Sequence, residues 1–215
     1  MDRVWYVSYG SNMRSARFDC YLAGGTPEGA ARGYPGCRDG SPPVAVRGLR
    51  VPGGVYFATW SPVWGGGRAF LDTDLPGEAA VRAYLITAEQ FADVAEQEMY
   101  REPGPSLDLA AVIAAGRVRR GPGRYETLLH LGDFDGFPAL TFTAPWRAGD
   151  VEHTRPSGPY LVMLREGLRE AHGWSTAEAA EYLAARTDFW SAEEIAELRV
   201  TPQPGDPDEN HPTPR

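Results

Sequence analysis

Apolar residues fall along this chain in two rhythms. Short β-branched and aromatic runs, bounded by glycine, proline and other turn residues, occupy residues 4–9, 55–60, 69–71, 80–86, 127–131 and 139–143, and each predicts a strand. A helical rhythm appears at residues 14–22, 88–98 and 106–115, and again at 160–171. In the second of these, Thr87 serves as N-cap, Gln90 completes a capping box, and Phe91, Val94 and Ala95 line one face. In the last, Leu161, Leu164 and Leu168 lie on one side and charges on the other. Ser175-x-x-Glu178 and Ser191-x-x-Glu194 are two further capping boxes, each opening a short helix.

This order sets the expected architecture. Several short strands at such spacing point to a small mixed barrel or a strongly curved sheet in an α+β fold, not to a doubly wound parallel sheet. Residues 1–150 would form that barrel domain with flanking helices. The composition changes near Gly158, so residues 151–200 read as a helical C-terminal extension packed on it. Residues 201–215 are rich in proline and acidic groups with little to bury, and are expected to be disordered.

Composition narrows the function. With 215 residues, 42% of them hydrophobic, the chain can bury a sizeable core. It lacks a run long enough to span a membrane and an amino-terminal signal peptide, which predicts a cytoplasmic protein. A net charge of −8 argues against a nucleic-acid partner. All 21 basic residues are arginine, which excludes Schiff-base chemistry, a pyridoxal anchor and a P-loop lysine supplied by this chain. Cys20 and Cys37 do not form a Cys-x-x-Cys pair and read as reduced thiols. The four histidines are scattered, and Asp72-x-Asp74 and Asp133-x-Asp135-Gly136 lack the other ligands of a calcium loop. Neither a metal nor another cofactor is expected.

The first strand ends in Tyr9-Gly10-Ser11-Asn12-Met13. A strand that stops in a tight polar turn can aim several backbone N–H groups at one point, which suits a carboxylate or an oxyanion. A nucleophilic role for Ser11 has little support, since a Gly-x-Ser-x-Gly elbow and a partner histidine motif are missing.

That stretch resembles the glycine-serine-asparagine signature of the γ-glutamylcyclotransferase-like proteins, with Met13 where leucine is usual. Trp64-Gly65-Gly66-Gly67-Arg68-Ala69-Phe70 resembles the glycine pair and strand that lie across the family's pocket, although the glycines also fit a plain hairpin turn. Ala95-Glu96-Gln97-Glu98 resembles the end of the helix carrying the catalytic glutamate, with the match on Glu98. Gly123-Arg124-Tyr125 resembles a Gly-x-Tyr that opens the following strand. The resemblance spans residues 4–145. It implies a small barrel holding a γ-glutamyl group, whose amine is expelled as 5-oxoproline forms. Glu98 would be the general base and acid, with Glu96 its internal competitor. Tyr9, Gly10, Ser11, Asn12, Met13 and Tyr125 would bind substrate, and Arg14 or Arg68 would add positive charge. Stretches near 24–43 and 99–122 depart from the family's pattern as inserts. The implied partner is a small γ-glutamyl compound, and a homodimer is compatible with the C-terminal helices. A non-catalytic binding module on the same barrel is the alternative.

Overall fold

The computed structural model describes residues 2–27, 33–104 and 107–199. The tail expected to be disordered lies outside these residues, as does Ser106 at the start of the third expected helix. Strand β1 (Arg3–Ser8) is followed by a single 3-10 turn (Ser11–Met13) and helix α1 (Ser15–Ala23). Strands β2 (Ala45–Pro52), β3 (Gly54–Ser61), β4 (Gly66–Asp72) and β5 (Glu78–Thr87) lead into helix α2 (Ala88–Glu98). Helix α3 (Leu109–Ala115) and strands β6 (Arg117–Arg119), β7 (Thr127–Phe134) and β8 (Phe137–Thr143) come next. Helices α4 (Gly158–His172), α5 (Thr176–Ala184) and α6 (Ala192–Glu197) complete the described chain.

Six strands form one mixed sheet in the order β2-β5-β1-β8-β7-β6. Strand β1 runs antiparallel to β5 and parallel to β8, so the first strand sits in the middle of the sheet. It is buried on both faces, which is why its apolar run is continuous. Val4 and Tyr6 pack with Phe18, Tyr84 and Phe91 from one layer. Trp5 and Val7 pack with Leu161, Leu164 and Leu168 of α4 on the other. Ala179, Leu183 and Ile195 of α5 and α6 belong to that same cluster, so the C-terminal helices share a core with the sheet.

The sheet is open, and the expected barrel does not close. Strands β3 and β4 form a separate hairpin. They meet β8 through a side chain: Thr143 Oγ1 accepts from the N–H of Leu71 at 3.2 Å and donates to its carbonyl at 2.8 Å. No backbone ladder crosses that seam, so the curvature stops short of closure.

Two glycines decide how the layers approach. A Cβ at Gly67 would lie 2.1 Å from the Thr154 carbonyl oxygen, and the Gly67 N–H donates to Arg155 O at 2.8 Å. The Gly66-Gly67 pair therefore lets residues 154–157 lie directly on β4, while Gly65 (φ +66°) takes the turn. On α4, a Cβ at Gly167 would lie 2.7 Å from Met13 Cβ, so this helix crosses the 3-10 turn at backbone contact.

Candidate active site

Strand β1 delivers Ser8 to the sheet's carboxyl end, where Gly10 is still extended and the 3-10 turn begins. The turn is closed by Met13 N–H to Gly10 O and Arg14 N–H to Ser11 O, which leaves the donors of Gly10, Ser11 and Asn12 outside that closure. From the other side α2 ends at Glu98. Asn12 Nδ2 joins the two elements, donating to Glu98 Oε1 at 2.9 Å and to the Tyr6 hydroxyl oxygen at 3.2 Å. The second amide atom, Asn12 Oδ1, is buried without a protein partner.

Burial raises the Glu98 carboxyl above the usual carboxylate range. The Tyr21 hydroxyl, the charges of Arg17 and Arg124, and the Asn12 amide pull the other way without cancelling that rise. Glu96 behaves oppositely. Its burial would raise it, but hydrogen bonds from Arg120, at 2.7 Å, and from Arg101 outweigh burial and hold it below the ordinary range. Two residues along a helix turn roughly 200° about its axis, so one glutamate meets the cavity and the other meets arginines.

Glu98 and the turn line one cavity. The inner space, about 330 Å³ with its opening to solvent included, is bounded by Tyr6, Ser8 to Asn12, Ala69, Glu98, Tyr125, Phe142 and Tyr160. An outer space, about 420 Å³ with its opening to solvent included, adjoins it. Ser11, Glu98, Tyr125 and Tyr160 line both, and so mark the passage between them.

The other expected residues divide. Tyr9 and Tyr125 line the inner cavity, but their hydroxyls donate to Phe142 O at 2.8 Å and Ala69 O at 3.1 Å. Ser11 Oγ accepts from Arg17 Nε at 3.0 Å, and among the described residues no histidine lines either cavity. Met13 is not a cavity residue; it is 1% exposed in the core beneath α4, where Gly167 admits it. Arg14 is also turned away, paired with Glu170 of α4 at 3.0 Å, whereas Arg68 lines the outer cavity. The triple glycine lines neither space; its work is the close contact with residues 154–157.

Several cavity residues escaped the sequence reading. Arg17 on α1 reaches Ser11 and Tyr34, and Tyr34 brings the first insert to the outer cavity. Arg124 donates to the Glu98 carbonyl at 2.8 Å. Most important is Tyr160, from the first turn of α4 and outside the region of family resemblance. Its hydroxyl accepts from the Ala69 N–H at 3.2 Å, and among the described residues no protein acceptor takes its own proton. Burial pushes this hydroxyl up to about 12, so it stays protonated.

No protein-family model matches the chain. Solved structures similar to it include an uncharacterized human protein, loc79017, with a TM-score of 0.51 at 14% identity over 92% of this chain and 99% of that one. The two share a fold. A γ-glutamyl cyclotransferase is also among the chain's structural neighbours, with a TM-score of 0.45 at 14% identity over 96% of this chain and 94% of that one. In sequence, the chain is 34% identical over 198 residues to histone deacetylase 5 of Arabidopsis thaliana, an alignment covering 84% of this chain. The chain spans 30% of that relative's length, and that protein's name describes the whole of it. Among the described residues, no helix is long and apolar enough to cross a membrane, and no group of three or more His, Cys, Asp or Glu could hold a metal ion.

Proposed function

We propose that the chain is a γ-glutamylcyclotransferase-like enzyme that converts the γ-glutamyl group of a small amide or dipeptide to 5-oxoproline and releases the amine. One observation carries this reading: a carboxyl raised by burial shares a small cavity with the Gly10–Asn12 turn, and the two are joined by Asn12.

The chemistry follows from what these groups can do. The glutamyl moiety sits in the inner cavity with its α-carboxylate against the turn's N–H groups. Glu98, ionised, takes a proton from the α-ammonium, and the freed nitrogen attacks the γ-carbonyl carbon of the same substrate. Folding the chain so that these atoms meet contributes roughly 7–11 kcal/mol to lowering the barrier. As the carbon–nitrogen bond forms, the carbonyl oxygen becomes an oxyanion, and Tyr160 donates its uncommitted proton to it in a hydrogen bond. The tetrahedral intermediate then collapses, and the original amide bond breaks. Glu98 gives its proton to the departing nitrogen and, ionised again, takes the surplus proton from the new ring nitrogen. It passes that proton to the released amine, which leaves as an ammonium, so one residue is base and acid in turn. Water is not consumed. A carboxyl raised above the ordinary carboxylate range suits both roles, because it binds the proton more firmly between taking it and returning it.

The test is mass-spectrometric. Wild-type protein should release 5-oxoproline and amine from at least one member of a γ-glutamyl amide panel, while Glu98→Gln folds normally and releases neither. Saturable binding without product in both proteins would instead favour a binding module.

A further inference from the structure

The outer cavity has walls of two kinds. Aromatic residues line it from several separate segments, among them Tyr34 from the first insert, Trp64 from the β3–β4 hairpin and Tyr100 from the stretch after α2, beside Tyr21, Tyr125 and Tyr160. Val63 adds an exposed aliphatic surface beside Trp64. Charge comes from Arg17, Arg68 and Arg124, and among the described residues Glu98 is the only acid in the lining. The Arg17 guanidinium lies 5.1 Å from the Trp64 ring centre, and that of Arg124 lies 4.6 Å from the Tyr100 ring centre.

These three arginines differ from most of those nearby. Arg14, Arg82, Arg101 and Arg120 each pair with a carboxylate. Among the described residues, Arg17, Arg68 and Arg124 have no carboxylate at ion-pair distance. Their hydrogen bonds run to neutral oxygens: Ser11 Oγ and the Tyr34 hydroxyl, the Trp60 carbonyl, and the Glu98 carbonyl. In a chain of net charge −8, this mouth is a local reversal of sign that would concentrate an anion.

We infer that the outer cavity is a subsite for an aromatic amine bearing a carboxylate, such as an aminobenzoate or an aromatic amino acid, as the leaving group. The assignment of leaving group rests on the cyclotransferase reading; the ligand chemistry of the subsite does not. A flat ring packs against Trp64 and Val63, and its carboxylate meets Arg68 and Arg124 in charge-assisted hydrogen bonds. An aliphatic, uncharged amine would leave the indole wet and the guanidinium groups without an anion. The passage at Ser11, Glu98, Tyr125 and Tyr160 then surrounds the bond to be broken.

Binding tests the subsite without needing turnover. Full-length protein is titrated with 4-aminobenzoate, aniline and glycine by calorimetry, with the Trp64 indole N–H signal followed by NMR. 4-Aminobenzoate should bind at least about tenfold more tightly than aniline or glycine, shift Trp64, and lose about tenfold in Arg68→Met, the scale of one charge-assisted hydrogen bond. Equal affinity for 4-aminobenzoate and aniline, or a preference that survives in an Arg68→Met/Arg124→Met double variant, overturns the inference. Turnover of γ-glutamyl-4-aminobenzoate against γ-glutamylanilide is measured separately. Loss of all turnover with the binding preference intact would defeat the cyclotransferase reading and leave the subsite standing.

Discussion

Replacing Tyr160 with phenylalanine removes one oxygen atom, which accepts one hydrogen bond in the structure and is proposed to donate another to the substrate. As an acceptor it satisfies the N–H of Ala69, a residue with no solvent exposure. Leaving that donor unpaired costs about 1–3 kcal/mol of stability. For a chain of this size the melting temperature should fall by roughly 2–12 °C. As a donor, the hydroxyl faces the passage between the cavities, where the oxyanion is proposed to form. Loss of one such donor typically lowers kcat by roughly 10²–10³-fold, about 2.7–4 kcal/mol. Tyr125→Phe is the matched control. It too loses one hydrogen bond at the same residue, but the Tyr125 proton is already given to the Ala69 carbonyl. It should therefore lower the melting temperature with a much smaller loss of turnover. The assays are thermal melting by circular dichroism and 5-oxoproline release over a range of substrate concentrations. A Tyr160→Phe enzyme with kcat within about threefold of wild type would refute the assignment. So would a Tyr125→Phe enzyme equally impaired.

Three other outcomes follow from the same geometry. Gly67→Ala places a methyl against the Thr154 backbone and disturbs the bond to Arg155 O, so it should destabilise the fold by about 2–5 kcal/mol in denaturant titration, from overpacking and a weakened hydrogen bond together; Gly65→Ala, with open space around it, should cost only about 1–2 kcal/mol of left-handed backbone strain. The Glu98 carboxyl is raised in the folded state, so the native protein binds more protons than the unfolded chain between the ordinary carboxylate range and that raised value, and stability falls as pH rises through the window. Glu98→Gln should remove that slope and melt higher than wild type at neutral pH, as read by melting across a pH series. Asn12→Ala deletes a hydrogen bond that lowers the Glu98 carboxyl, so the acid limb of the pH–rate profile should move to higher pH.

What could be read from the sequence was mostly local. The capping boxes at Thr87, Ser175 and Ser191 are all formed, because side chain and backbone partners lie three residues apart and need no tertiary help. The β1 run was readable as a strand, but not as a central one, since pairing along its second edge depends on β8 arriving from over a hundred residues away. The barrel expectation came from strand spacing, which carries no information on how the β3–β4 hairpin meets β8. At the site, the turn and Glu98 were visible as motifs. Arg17 and Tyr160 were not, because an arginine or tyrosine on an amphipathic helix has no local signature of its target. Tyr160 did offer one clue: it follows a serine cap and Pro159, a rigid helix start suited to holding a side chain in a fixed direction. Met13 was misplaced by its adjacency to the turn, where spacing in the chain does not say which side faces the cavity.

The pairing of β1 with β8 has a consequence for the newborn protein. During synthesis the Gly-Ser-Asn turn emerges early, yet the strand that takes Tyr9's hydroxyl bond, through Phe142, comes more than 120 residues later. The tyrosine at the passage is made later still, on α4. A ribosome-bound chain thus carries the signature long before it possesses a cleft, and a truncation ahead of residue 137 should display the motif while offering a ligand nowhere to sit.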